Sequence, residues 1–354
     1  MLRLLAIQRA ICRPVSCSSS TGVIIRKMAS EIKSEGSKPN VAATRSDGPR
    51  LIKMVKTIIP PLDYSKHKGE DGRLATIGGC KEYTGAPYFA ALTALKVGCD
   101  LSHVFCTKDA APVIKSYSPE LIVHPILDSE DFIEDMSTSW LSKMHGLIIG
   151  PGLGSDELLH RHVKEIIIHA RGLNIPMVID ADGVRMLCKN PEAIQDYRRV
   201  ILTPNIVEFK HLYLAVIGNK SDGKDVQSDV MNLSRSLGNV TICLKGASDI
   251  ITDGINVLIC DLSGSPRRCG GQGDILSGAM GTFNFWSHKF CDAKTEQDQG
   301  PLVSTYGPTL CAAYAACLLT KRCATLAFLR NQRSTTTSDL QLEIHQAFSK
   351  LFGE

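Results

Sequence analysis

The feature that most restricts the fold is an alternation of short apolar, β-branched runs with helix-like stretches, sustained from about residue 50 onward. Strands are predicted over 74–78, 103–106, 121–125, 146–150, 176–180, 200–203, 240–244 and 257–260. Most of these runs are continuous rather than alternating, as parallel strands buried on both faces require. Helices are predicted over 87–97, 157–171, 206–217, 226–237, 274–286 and 306–326. Pro87 stands in a first turn behind Thr84 and Gly85, a helix start. Leu340, Ile344, Phe348 and Leu351 recur at helical spacing and make 338–352 an amphipathic closing helix. The whole predicts one α/β domain, a doubly wound and mainly parallel sheet with helices on both faces. No internal repeat or second domain is visible.

Other architectures are poor fits. With 354 residues and 44% hydrophobic content the chain can bury a large core. No uninterrupted apolar run approaches the roughly 18 residues of a membrane span, so no membrane partner is expected. A net charge of +4 gives no electrostatic reason to expect nucleic acid. The 13 cysteines are scattered singly, without a CxxC pair. Cys311, Cys317 and Cys323 are six apart, which suits neither zinc nor one helix face. They read as free thiols of a reducing compartment.

The N-terminus is a different material. Arg3, Arg9, Arg13, Arg26 and Lys27 precede the first acidic residue, Glu31, and a serine cluster follows the first apolar stretch. Basic, serine-rich and acid-free composition predicts a mitochondrial presequence over 1–30. The alternatives are a secretory signal, which Gln8, Arg9 and Arg13 interrupt early, and a tail without an address. Met28 offers a second start and a cytosolic form. Residues 31–50 read as a linker, and 51–354 as the folded domain.

In such sheets ligands sit at the carboxyl ends of the strands. The loops there are rich in glycine: Gly78-Gly79, Gly150-Pro-Gly-Leu-Gly154, Lys245-Gly246 and Gly270-Gly-Gln-Gly-Asp274. The last leads into an apolar helix, whose first amides and dipole would hold an anion. Asp274, in that first turn, is placed to act as a base beside the anion; its structural alternative is a helix cap. No Walker A pattern and no strand-borne GxGxxG with a following acid is present. Asn205 and Glu208 fall one helical turn apart, which suits indirect holding of magnesium through water, or a cap and a solvated charge. Asp180 and Asp182 are candidates to orient metal-bound water, with a structural turn as the alternative. Lys81 and Tyr83 are placed to line the same cleft, whereas His103 and His124 lie inside strands and read as satisfied core or edge residues.

The GxGD loop and the Asn205–Glu208 element resemble the ribokinase-like superfamily of ATP-using enzymes. Six ordered stretches resemble, more closely, the ATP-dependent NAD(P)H-hydrate dehydratases, which repair hydrated nicotinamide cofactors. These stretches are 78–89, 150–154, 180–183, 203–205, 244–246 and 270–274. The resemblance implies that Gly154, Asn205, Ile206, Val207, Glu208, Phe209, Lys210, His211 and Asp274 contact the hydrated nucleotide. It implies that ATP is held by Lys245, Gly246, Ala247, Ser248 and Asp249. The second ATP segment would be Gly264, Ser265, Pro266, Arg267, Arg268, Cys269, Gly270, Gly271, Gln272 and Gly273. Asp274 would be the catalytic base, magnesium the cofactor, and a separate NAD(P)H-hydrate epimerase the functional partner, because fifty upstream residues cannot hold a fused one. The alternatives carried are a kinase of a small hydroxylated vitamin precursor and a silent nucleotide-binding regulator. The sequence leaves open NADH against NADPH, ATP against ADP, and the oligomeric state, a homo-oligomer included.

Overall fold

The computed structural model describes residues 48–221 and 223–353. The basic leader and nearly all of the predicted linker therefore lie outside the described residues. Nine strands form one sheet: β1 (Arg73–Ile77), β2 (Leu101–Cys106), β3 (Ile122–Pro125), β4 (Gly146–Ile149), β5 (Met177–Ile179), β6 (Val200–Leu202), β7 (Thr241–Leu244), β8 (Asp249–Thr252) and β9 (Val257–Cys260). Their order is β3-β2-β1-β4-β5-β6-β7-β8-β9. Pairing is parallel from β3 across to β7, and β8 and β9 close one edge antiparallel.

The helices are α1 (Gly48–Ile58), α2 (Gly85–Val97), α3 (Ala111–Tyr117), α4 (Phe132–Asp135), α5 (Glu157–Gly172), α6 (Asp182–Leu187), α7 (Ile206–Ile217), α8 (Val226–Ser236), α9 (Gln272–Asp292), α10 (Pro301–Asn331), α11 (Thr337–Leu342) and α12 (Ile344–Phe352). Alternate strand residues point to opposite faces. Met177 and Ile179 of β5, with Val200 and Leu202 of β6, enter a core under α5, α7 and α8. Val178 and Ile201 enter the other core, under α1, α9, α10 and α12. Burial on both faces is why the strands read as continuous apolar runs. The doubly wound, mainly parallel sheet is the one expected.

Several elements differ from expectation. The short β8 was not predicted, nor were α1, α3, α4 and α6. Helix α1 begins at Gly48, inside the predicted linker, and buries Leu51, Met54, Val55 and Ile58. The closing helix is two, α11 and α12, with the chain turning at Glu343, which is buried and paired with Arg330 at 3.0 Å. Thr84 makes no capping bond; its hydroxyl meets Tyr117 Oη at 3.0 Å instead. Helix α10 is interrupted at Gly307 (φ 72°, ψ 171°) and restarts at Pro308. Among the described residues Pro301–Ser334 is long and apolar enough to cross a membrane, and 72% of its most apolar window is buried inside the fold. Its apolar length is that of a central core helix. The described cysteines are free thiols, with Cys311, Cys317 and Cys323 buried as small hydrophobes. His103 and His124 share a hydrogen bond of 3.0 Å, and burial together with His103 pushes His124 down to about 4.

Candidate active site

Strands β2 and β3 leave β1 on one side and β4 to β7 on the other, so a crevice opens outside the carboxyl ends of β1 and β4. The loops that follow these two strands meet there, with the Gly79 N–H donating to the Gly152 carbonyl at 3.1 Å. Gly152 has φ +63°, and a Cβ on it would stand 2.5 Å from the Tyr83 carbonyl, so only glycine allows the approach. Tyr83 is 58% exposed beside this loop. Gly154 is held from the next strand end. Its N–H donates to Asp182 Oδ2 at 2.7 Å, and its carbonyl accepts from His160 Nε2 at 3.0 Å and from Arg185 at 3.4 Å.

The ends of β5, β6 and β7 bring three polar side chains together. Asp180 is 1% exposed, and its Oδ1 accepts from the Thr203 hydroxyl at 2.8 Å and the Lys245 ammonium at 2.7 Å. Burial disfavours the ammonium of Lys245, but Asp180 and Glu208 outweigh it and hold its pKa above the ordinary lysine value. Asn205 caps α7, its Oδ1 accepting the N–H groups of Val207 and Glu208, while Glu208 Oε2 accepts the Asn205 N–H at 2.8 Å. This reciprocal capping box fixes Glu208 with its carboxylate 4.0 Å from Lys245.

The glycine-rich loop enters α9 through Gly271, which is left-handed (φ 93°) and supplies no side-chain cap. The first amides of this 21-residue helix are therefore left to a ligand or water. Asp274 occupies the third helical position rather than the cap, and is 9% exposed. Burial, with the Asp180 carboxylate nearby, holds its carboxyl well above the usual carboxylate range against the pull of Lys245. A carboxyl so placed is chemically able to take a proton from a hydroxyl brought to this helix terminus.

Beside it lies a cleft of about 390 Å³. Asn205, Lys245, Gly246, Ala247, Asp249, Gly264, Ser265, Arg268, Gln272 and Gly273 line it, all of them expected site residues. Leu276, Cys317, Thr320, Ala324 and Leu340 add a mostly apolar wall. Such a cleft, polar at the helix terminus and apolar beyond, suits a phosphorylated ring compound. Ser248, Pro266 and Arg267 are exposed, Cys269 lies 3.7 Å from the Thr337 hydroxyl, and the Gly270 carbonyl accepts from that hydroxyl. Ile206 and Val207 are exposed at the start of α7, with Lys210 and His211 exposed one turn on.

Phe209 needs correction as a substrate contact, and Asp249, which lines the cleft, has its carboxylate engaged within the protein. Phe209 is 1% exposed and packed against Tyr213 in the core, so its side chain cannot meet a substrate. The Asp249 carboxylate is turned onto the Gly246 N–H (2.9 Å) and Lys321 (3.2 Å), which makes it a builder of the turn. Asp180 and Asp182 likewise have protein partners. Lys321 and Arg185 were missed, and of the two Lys321 carried a signal, as the first charge after the uncharged residues 301–320, whereas Thr203 stood in the 203–205 stretch without a role of its own. No three His, Cys, Asp or Glu among the described residues converge as direct metal ligands. Glu208, half-buried at the cleft edge, fits a water-shelled magnesium on nucleotide phosphates rather than a protein cage.

The comparisons with known proteins agree with this geometry. The NAD(P)H-hydrate dehydratase family matches residues 74–346. The ATP-dependent (S)-NAD(P)H-hydrate dehydratase of Danio rerio is 52% identical over 85% of this chain and 89% of its own length. The Homo sapiens protein of the same name is 50% identical over 86% of each chain. The ADP/ATP-dependent NAD(P)H-hydrate dehydratase of Bacillus subtilis, co-crystallised with ATP and Mg2+, superposes with a TM-score of 0.62. It covers 85% of this chain and 97% of that one at 19% identity, a likeness of fold.

Proposed function

This chain belongs to the ATP-dependent (S)-NAD(P)H-hydrate dehydratases, and from that premise we propose how its cleft restores NADH or NADPH from the hydrated S form. The observation that carries the reading is Asp274, buried with a raised pKa at the open N-terminus of α9. ATP lies in the cleft between the 245–249 turn and the 264–273 loop, with its terminal phosphate on the α9 amides. The hydrated ring sits against Gly154 and the start of α7.

Asp274 takes the proton from the ring hydroxyl, and the freed oxygen attacks the γ-phosphorus as ADP departs. The ring nitrogen then pushes out the new ester as inorganic phosphate, and the neighbouring carbon loses a proton to restore the double bond. Phosphorylation replaces hydroxide, a poor leaving group, by a good one. Lys245 and the α9 amides face the charge that develops on the transferring group. Magnesium, when bound, would neutralise phosphate charge, and Asn205, through the capping box, would hold Glu208 ready to accept from its waters. Because the enzyme is selective for S, a separate epimerase that interconverts the two hydrates is the proposed functional partner. The basic leader supports a mitochondrial address.

The test mixes protein, ATP, magnesium and hydrated NADH. One inorganic phosphate and one reduced nicotinamide per ATP are expected; a phosphorylated organic product that accumulates would make the protein a kinase.

A further inference from the structure

We propose that Lys321 is a positioning residue for ATP: it fastens both ATP segments to α10 and sets nucleotide affinity without entering the chemistry. This rests on the placement of ATP in the cleft given above. The Lys321 side chain is 11% exposed, and its ammonium lies 3.2 Å from Asp249 Oδ2. It also donates to the carbonyls of Ala247 at 2.6 Å and Gly246 at 3.4 Å. An ammonium has three donors, and three oxygens of the β7–β8 turn take them. Nothing is left over for a ligand, so Lys321 acts through the turn.

The aliphatic stem reaches the second segment. A Cβ on Gly264 would stand 3.7 Å from Lys321 Cγ, an ordinary van der Waals contact. One helical turn further along, the Thr325 hydroxyl donates to the Ser263 carbonyl at 3.0 Å. One face of α10 thus holds the 246–249 turn and the 263–264 segment at a set separation, and both line the cleft. Without the clamp, the cost of ordering these walls is transferred to ATP binding.

The experiment compares Lys321→Met with the double variant Lys321→Met, Asp249→Asn, by calorimetric ATP titration, steady-state kinetics and thermal melting. In Lys321→Met the Kd and KM for ATP should rise about tenfold. The KM for hydrated NADH should hold, and kcat at saturating ATP should stay within about threefold. The double variant removes the buried negative charge that the first change leaves without its cation, and asparagine can still accept the Gly246 N–H, so it should regain the thermal midpoint. It should not regain ATP affinity, because the Gly246 and Ala247 carbonyls stay unclamped. Recovery of both together, or an unchanged ATP KM in Lys321→Met, would overturn the proposal. If Gly273→Val binds ATP as tightly as the wild type, the placement of ATP fails first and this proposal with it.

Discussion

The Lys245 ammonium sits 2.7 Å from Asp180 Oδ1 and ties the end of β7 to the end of β5, across β6, beside the cleft that Lys245 lines. Asp180 is buried and shares its charge with the Thr203 hydroxyl alone once the lysine is gone. Removing one member of a buried pair leaves an uncompensated charge, at a cost of about 3–5 kcal/mol. Lys245→Met should therefore lower the thermal midpoint by several degrees. Adding Asp180→Asn should return most of that loss. Melting curves of the two variants check this, and a single variant as stable as the wild type would contradict it.

Glu208 closes the capping box of α7, and glutamine in its place can still accept the Asn205 N–H. Glu208→Gln keeps the helix start and removes one charge from the cleft edge. The thermal midpoint should move little. The magnesium concentration for half-maximal turnover should rise about tenfold, a loss typical of outer-shell partners. A magnesium titration of ADP release reads the difference. An unchanged midpoint of that titration would leave Glu208 a cap only.

The two glycines at the start of α9 should behave differently. Gly271 has φ +93°, and its Cβ position is 2.8 Å from the Thr337 hydroxyl. Gly271→Ala should destabilise the protein by strain and by the clash. At Gly273 a Cβ would meet Lys245 Nζ at 3.6 Å and Asp180 Oδ2 at 3.8 Å, both comfortable distances. Gly273→Ala should fold at least as well as the wild type, by up to about 1 kcal/mol of helix propensity. Gly273→Val sends two further methyls into the phosphate space and should weaken ATP binding. Melting and ATP titration of the three variants decide the order.

The contrast between those glycines shows where sequence reasoning stops. Strands such as β5, with Met177, Val178 and Ile179, were legible because burial on both faces leaves a continuous apolar run. Strand β8 was not, because its four residues follow directly on a turn, and its antiparallel pairing between β7 and the edge strand β9 breaks the strand–helix alternation. Helix α1 begins at the end of the mixed-charge linker and has no acidic residue in its first turn to mark a start, although Leu51, Met54, Val55 and Ile58 carry the helical spacing. In the site, Asn205, Glu208 and Asp274 were readable as local motifs. The Lys245–Asp180 pair joins residues 65 apart, and Lys321 reaches Ala247 across 74. Such contacts exist only once the sheet order is set. Phe209 was misread for the complementary reason: Ile206, Val207, Lys210 and His211 around it are exposed, but its own position on α7 faces the core.

The leader lies outside the described residues, so its address has to be tested in the cell. Residues 1–50 fused to a fluorescent reporter should enter mitochondria, and changing Arg3, Arg9 and Arg13 to Glu should abolish import. A diffuse or secreted reporter would refute the proposed address and leave the enzymology untouched.

Asp274 carries the most specific expectation. Its raised pKa comes chiefly from burial, then from Asp180, opposed by Lys245. The base form is the active one, so kcat/KM should rise with pH through that raised pKa, well above the range of an ordinary carboxylate. Asp180→Asn removes a repelling charge and should shift the acid limb to lower pH. Stability runs the other way. The folded state holds this proton more tightly than the unfolded chain, so the contribution of Asp274 to stability is greatest at low pH. It declines as pH rises from the unfolded value towards the folded one. Above that raised pKa the buried carboxylate is a burden, and there Asp274→Asn should leave the thermal midpoint unchanged or raise it. The same change removes the base, and turnover should fall by at least about a hundredfold, the low end of general-base assistance. ATP affinity should hold or tighten slightly, because a negative charge near the phosphates is gone. The pH–rate profile, calorimetric ATP titration and melting curve read the three effects separately. An asparagine variant that keeps near-normal turnover would strip Asp274 of its role and move the search for the base to Asp182, whose carboxylate is now spent on Gly154 and Arg185.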